Sequence, residues 1–389
     1  MLFSTKKYIQ STTLLNQPVN SVTMEDSTND SSLQETAFAA VRMDQVDIQR
    51  CIGNGAFSNV YASYIPDLPV PVAPPVLGEI GSMRSDSTED TMDLDYSSNH
   101  SSLPMVRPCF ALKRLREDVL EDEESKNVAV RDFTLEATIL MKIPYHQNIV
   151  RLIATSQNFF QAPAEGFLVV ERLDTTLQFQ LSRWANQSRQ MKRTTTGFFG
   201  ISGKIKSLEM QEQRHRIQRC ALGISKALQH LHKHRIIYRD LKPQNVGFAP
   251  NGQVKLFDMG LARQVDHQDA SRRLTGAAGT ARYMAPEVAG VSMSFDCNYG
   301  LSADVYSFAV LLWEICTLQK PFEKARSIQE WYRTVVTQGK RPNVRKVASL
   351  RMRELVQACW DSEPNARPTF ALISAQLERE STATDAKQP

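Results

Sequence analysis

Apolar and polar positions change period several times along the chain, and each change marks an element. From Val46-Asp47-Ile48 onward apolar residues alternate with polar ones through Ile52-Gly53-Asn54-Gly55-Ala56-Phe57-Ser58-Asn59-Val60-Tyr61. That pattern predicts strand, glycine turn, strand. Short apolar runs at 109–115 and 166–173 suit buried strands, and a turn and a strand are expected over 146–158. Between the first two, residues 130–141 repeat their apolar positions at helical spacing. Beyond Leu173 the pattern turns helical over 177–184 and, strongly amphipathic, over 214–234. Two short strands at 245–248 and 253–257, joined by Asn251-Gly252, precede helices at 303–317, 327–336, 349–360 and 369–379. Thr369 follows Pro368, as a helix start prefers. Strands first and helices afterwards predict an α+β chain.

Four stretches do not fit this periodicity. Residues 1–44 are rich in Ser, Thr, Asn and Gln and read as a disordered tail. Residues 65–107 carry five prolines between Pro66 and Pro75, then an acidic, serine-rich run, and read as a disordered insertion. A second insertion, 185–209, is basic and glycine-containing; it reads either as an anion-binding patch or as a solvated loop. Residues 381–389 are a polar C-terminal tail. The folded domain is thus expected over 45–380, with lobes at 45–172 and 173–380.

Composition narrows the class only a little. The 389 residues are 42% hydrophobic and 23% charged, ordinary for a globular protein, and suffice for two lobes. The net charge of +4 is too slight to argue for nucleic acid or a membrane surface as partner. Six scattered cysteines without a Cys-x-x-Cys pair read as reduced thiols. His230, His232 and His234 suggest a metal cluster, but at a helix end they suit the dipole better. The longest apolar stretch, 305–315, is too short for a membrane span and carries Glu314. The first 20 residues lack the apolar core of a secretory signal and the arginines of a transit peptide. A cytoplasmic location is expected, with the nucleus left open.

The chemistry concentrates in Tyr238-Arg239-Asp240-Leu241-Lys242-Pro243-Gln244-Asn245. Asp240 can accept the proton of an attacking hydroxyl, Lys242 can neutralise a phosphoryl group in flight, and Asn245 can hold a metal ion on phosphates. Such offsets suit phosphoryl transfer, which depends on positioning and charge stabilisation. Lys113 sits inside the apolar run Cys109-Phe110-Ala111-Leu112-Lys113-Arg114-Leu115 and therefore needs a partner, for which Glu136 on the 130–141 helix is placed. Gly53 and Gly55 allow backbone N–H groups to close over phosphates, although Gly-x-Gly also occurs in plain hairpins.

Taken in order, these parts resemble the eukaryotic protein kinase family from about residue 46 to 379, outside the two insertions. The resemblance implies a bilobal α+β fold, with a small β-rich lobe containing one main helix and a larger, mostly helical lobe. It also implies ATP and Mg²⁺ as cosubstrate and metal, and proteins bearing Ser or Thr hydroxyls as substrates. By motif, the stretch Ile52, Gly53, Asn54, Gly55, Ala56, Phe57, Ser58 and Val60 is similar to the glycine-rich loop, with Ser58 in place of the third glycine. Lys113 and Glu136 match the phosphate-gripping lysine and its helix partner. Asp240 matches the catalytic base with Lys242 beside it, while Asn245 and Asp258 match the metal ligands. Tyr238 replaces the usual histidine and Met259 the usual phenylalanine. Adenine is expected between Val60 and Ala111 above and Gly247-Phe248 below, its edge on backbone groups of Glu171 and Leu173, with Val170 guarding the back. Gly247 departs from the larger aliphatic residue usual there.

The resemblance carries further roles. Glu287 is expected to pair with Arg367, Asp304 to hold the catalytic loop, and Leu140, Leu152, Met259 and Tyr238 to form the column that aligns the lobes. Lys242 with Gly279-Thr280 favours serine/threonine specificity, and 304–308 leans towards the tyrosine-kinase-like group. Leu177 and Gln244 stand where basophilic relatives carry substrate-binding glutamates, so no strong demand for arginine just before the phosphorylated residue is expected. Arg239 and Arg263 are candidate phosphate-binding cations for an activation segment whose acceptors are Ser271, Thr275 and Thr280; Thr275 equally reads as a solvated loop residue. Two rivals remain at this point: a pseudokinase without chemistry, and a small-molecule kinase of the same fold. Oligomeric state is not encoded in any of these motifs.

Overall fold

The computed structural model describes residues 39–66, 68, 110–195, 202–265, 274, 278–290 and 299–382. Six strands form the sheet of the small lobe: β1 (Ala39–Val41), β2 (Asp47–Asn54), β3 (Ser58–Tyr64), β4 (Phe110–Leu115), β5 (Leu152–Ser156) and β6 (Phe167–Glu171). Their order is β1-β5-β6-β4-β3-β2, antiparallel except for the parallel pairing of β1 with β5. In register, Val60 lies opposite Lys113 and Ala62 opposite Ala111, so these four side chains share one sheet face. Two helices follow β4: the single turn α1 (Glu117–Leu120) and α2 (Glu123–Lys142), whose N-cap Asp122 accepts from Ser125 N–H. Phe133, Ala137 and Leu140 of α2 are buried in the core that the two lobes share.

The chain crosses to the large lobe after Glu171. A three-stranded sheet, β10-β9-β7, lies under the crossing; its strands are β7 (Thr175–Thr176), β9 (Val246–Phe248) and β10 (Val254–Leu256). A ribbon pairs β8 (Ile236–Ile237) with β11 (Arg263–Gln264), an element the sequence pattern did not announce. The helices are α3 (Leu177–Thr195), α4 (Ser202–Arg216), α5 (Leu222–Lys233), α6 (Pro286–Gly290), α7 (Ser302–Thr317), α8 (Ile328–Tyr332), α9 (Leu350–Cys359) and α10 (Phe370–Thr382). A π-turn at Ile217–Ala221 joins α4 to α5. Helix α7 is apolar on every side and buried from Ala303 to Cys316, which makes it the axis of the lobe. The described residues contain no helix long and apolar enough to cross a membrane.

Three boundaries differ from the sequence expectation. The assigned tail, 1–44, ends early: Ala39–Val41 add an edge strand, because Val41 fills an apolar cluster with Phe110, Ala154 and Val169 behind the sheet. The first insertion begins later than 65, since Ile65 and Leu68 are buried in that cluster; its remaining residues lie outside those described. The stretch 185–209 is not a loop through its length. α3 continues to Thr195 and α4 starts at Ser202, because residues such as Gln, Arg, Lys and Met there are good helix formers and the glycines fall near the helix ends.

Candidate active site

One buried carboxylate suspends the catalytic loop. Asp304, near the start of α7 and fully buried, accepts from Tyr238 N–H (2.8 Å) and Arg239 N–H (2.9 Å) and meets His232 Nε2 at 2.9 Å. These bonds hold Arg239 at φ 69°, a left-handed conformation costly for a residue with a side chain. The Tyr238 hydroxyl donates to the Phe257 carbonyl at 2.5 Å, so the phenol both packs and ties the loop to the strand leading into Asp258. Burial, with Asp258 and Asp240 nearby, pushes its pKa well up, so the phenol stays protonated.

The loop brings Asp240, Lys242, Asn245 and Thr280 together. Lys242 Nζ donates to Asp240 Oδ2 at 2.7 Å and to Thr280 Oγ1 at 3.2 Å. Thr280 Oγ1 donates to Asp240 Oδ1 at 2.9 Å. Asn245 Nδ2 donates to both the carbonyl and Oδ2 of Asp240 at 3.0 Å, which directs its own Oδ1 away from that carboxylate. Gly279, at φ 114°, must be glycine because a Cβ there would collide with the Arg239 carbonyl. That close approach is what delivers Thr280 to Asp240.

A second cluster joins the lobes. Lys113 Nζ of β4 donates to Glu136 Oε2 of α2 at 2.6 Å and to Asp258 Oδ1 at 3.1 Å. Burial alone would drive the ammonium towards neutrality; the Asp258 and Glu136 carboxylates outweigh it and raise the Lys113 pKa, so the charge is retained. Asp258 itself stands at φ 62°, a second strained residue at the site. Leu140, Leu152, Tyr238 and Met259 are all buried in one continuous core spanning both lobes.

The glycine turn closes by a hydrogen bond from Gly55 N–H to the Ser58 carbonyl (2.7 Å), and Arg116 N–H donates to the Phe57 carbonyl (3.0 Å). Ile52 is exposed there, whereas Gly53, Phe57, Ser58, Val60 and Val170 are half-buried and Ala111 buried. Asn54 and Ala56 are exposed at the tip. Along the chain crossing, Glu171 N–H donates to the Arg151 carbonyl (3.1 Å). Below, the side chain of Leu173 occupies the space over Gly247.

Outside the reaction centre, Arg367 makes two bonds to Glu287, at 2.6 and 3.0 Å, with the arginine side chain fully buried. Burial first, and then the nearby Arg239 charge, lowers the pKa of Arg263, so the two cations lie close together, and both already hold partners. Arg239 donates to the Leu261 carbonyl and the Tyr299 hydroxyl, and Arg263 donates to Asp132 of α2 at 3.0 Å and to two backbone carbonyls. Ser271 and Thr275 lie outside the described residues. Among the described residues no group of three or more His, Cys, Asp and Glu gathers as a metal site. The three histidines take different partners: His232 supports Asp304, His230 bonds the Pro144 carbonyl and stacks on His146, and His234 tilts against His230.

Sequence reasoning missed Asp132, His232 as the support of Asp304, and Lys255. Lys255, buried in β10, pairs with Glu171 at 2.7 Å. Its signal was the one used for Lys113, a lysine inside a short apolar strand. Asp132 carried no signal, because its partner lies 131 positions away.

Asp258 and Asn245 offer a carboxylate and an amide oxygen, hard donors of the kind Mg²⁺ takes. A magnesium ion held by one or two side chains, phosphate oxygens and water needs no larger protein cluster, so the donor set fits.

A β-rich lobe clamped by a lysine–carboxylate chain onto a helical lobe that presents Asp240, Lys242 and Asn245 defines a fold and candidate site of the protein kinase class. Residues 106–377 match the family model described as protein kinase domain, and the chain belongs to that family. It is 37% identical over 275 residues to the serine/threonine-protein kinase STY17 of Arabidopsis thaliana, covering 71% of this chain and 42% of that protein. To a probable serine/threonine-protein kinase of Dictyostelium discoideum it is 32% identical over 257 residues, 66% of this chain and 16% of the other. With the dual specificity protein kinase shkB of the same organism it shares 37% identity over 156 residues, 40% of this chain and 23% of that one. The chain thus spans less than half the length of these three relatives.

Proposed function

We propose that this protein kinase transfers the γ-phosphoryl group of ATP to serine and threonine hydroxyls of protein substrates. One observation carries the reading: Lys113, Glu136 and Asp258 form one charged chain, and Asp240, Lys242 and Asn245, on the loop that Tyr238 ties to the strand before Asp258, form a hydrogen-bonded cluster with Thr280. In the reaction, the substrate oxygen bonds to the γ-phosphorus as the bond to the ADP oxygen breaks. Asp240 takes the hydroxyl proton, and Lys242 offsets charge on the moving group. Lys113 grips the phosphate oxygens while Glu136 holds its ammonium in place. Asp258 and Asn245 would hold Mg²⁺, which when bound neutralises phosphate charge.

The contact of Thr280 with Asp240 and Lys242 supports the serine/threonine reading. A relative named as dual specificity makes tyrosine the alternative acceptor. Retention of all four charged and metal-binding positions speaks against a pseudokinase. The helices behind the Glu287–Arg367 pair, which would shape a peptide platform, speak against a small-molecule kinase. A cytoplasmic site of action goes with this reading.

The test is transfer of radiolabelled phosphate from MgATP to a generic basic protein, followed by phosphoamino-acid analysis. Phosphoserine and phosphothreonine are expected, with turnover lost by orders of magnitude in Asp240→Asn, Lys113→Met and Asp258→Asn. Equal activity in the Asp240→Asn variant would overturn the assignment, and phosphotyrosine as the main product would replace its specificity.

A further inference from the structure

Gly247 leaves a gap in the lower wall of the cleft, and the structure shows what fills it. In register, Gly247 of β9 lies opposite Thr176 and Lys255, so the face on which a side chain would stand is shared with those residues. From that face Lys255 reaches Glu171 in the crossing between the lobes, so the face looks at the crossing and the cleft beside it. A Cβ built on Gly247 would lie 2.5 Å from Leu173 Cδ1, 3.2 Å from its Cβ and 3.3 Å from its Cγ. The two positions therefore exclude one another: a side chain at 247 and the present placement of Leu173 cannot coexist. Across the cleft, Val60 and Ala111 lie on the same face as Lys113, whose ammonium reaches Asp258 in the large lobe.

We propose that Leu173, reaching in from the crossing, is the floor on which the nucleotide base rests, and that Gly247 is small in order to admit it. The inference rests on the ATP reading above. It moves a specificity-determining contact from the strand to the chain crossing, the segment whose backbone meets the edge of the base. Leu173 then reads both the edge and the lower face of the ring, and the Leu173–Gly247 pair sets the depth of the pocket.

The experiment is a double-mutant cycle of Gly247→Leu, Leu173→Ala and the double variant, with MgATP binding followed by calorimetry and KM for ATP measured alongside kcat. Melting temperature without nucleotide reports whether each variant folds. Gly247→Leu is expected to weaken MgATP binding by about tenfold or more, as the displaced Leu173 enters the pocket, and Leu173→Ala by about threefold or more for loss of the floor. The double variant, with leucine supplied from the strand, is expected to recover to within about threefold of the parent, and the losses fall on KM more than on kcat. Additive losses, or a Leu173→Ala variant that binds MgATP like the parent, would refute the assignment; the second result decides even if Gly247→Leu fails to fold. Failure of the parent chain itself to bind MgATP would bring down the ATP reading, and the floor with it.

Discussion

Glu314 makes stability depend on pH in a way that can be worked from its surroundings. It lies near the end of α7, nine-tenths buried, and accepts a 2.6 Å hydrogen bond from the Tyr283 hydroxyl. Burial pushes its pKa up to about 7, an effect that Tyr283, Arg282 and Lys320 offset only in part. Arg282 is itself pushed down by burial and Tyr283 well up, so neither neighbour adds a titration near neutrality. A carboxyl raised from 4.5 in the unfolded chain stabilises the fold fully only below that value. The contribution is lost as pH rises through about 7, because the native state must then ionise a buried acid. Glu314→Gln keeps an acceptor for Tyr283 and removes the titration. Relative to the parent, the variant should gain roughly 2–3 kcal/mol of stability between pH 5 and pH 8, the free energy of the part of the shift titrated in that window. Urea unfolding of both proteins at the two pH values measures the difference. An offset that does not change with pH would show that Glu314 is ionised throughout or reaches water. Tyr283 leads into Ala285-Pro286-Glu287, so the same measurement reports on the platform beside Thr280.

Three further outcomes are expected. Arg367→Met should destabilise the large lobe by roughly 3–5 kcal/mol in chemical denaturation, since it strands Glu287 and removes donors from the Asp361 and Ser302 carbonyls. Replacing residues 69–107 by a short Gly/Ser turn should leave the melting temperature nearly unchanged, whereas a deletion that also takes Ile65 and Leu68 should lower it by several degrees, because both are core residues. Asp132→Ala and Arg263→Ala should each reduce turnover, and the double variant should lose no more than the worse single, since one ion pair holds α2 and its Glu136 towards the activation segment; additive losses would show two independent roles.

Local pattern determined the elements of the small lobe and the reaction centre itself. The period-two alternation around the glycine turn, the apolar run bearing Lys113 and the helical spacing of 130–141 each fall in one window, and each became the element expected there. The candidate catalytic residues were legible for a related reason: Asp240, Lys242 and Asn245 lie within six consecutive positions, so one loop must carry them together. The ends of α7, α9 and α10 were read to within a few residues, because caps such as Ser349 act locally, whereas α2 begins at Glu123, seven residues before the expected start. Continuation of α3 to Thr195 and the start of α4 at Ser202 were lost for the opposite reason: a polar, basic composition reads as loop when no apolar face is visible.

What the tertiary structure alone decided are the relations between distant positions. The left-handed backbone of Arg239 and Asp258 is sustained by partners elsewhere in the chain, and no residue type announces it. Arg263 looked like a free cation awaiting phosphate until α2 brought Asp132 to it. Gly247 looked like a missing floor until Leu173 was seen to stand over it. Periodicity and motif spacing act within a few turns of chain, and they specify which elements form and which chemistry the loops carry. Pairing across a core is set by the simultaneous packing of all the elements, so whether a charge is satisfied or a gap filled is a property of the assembled fold.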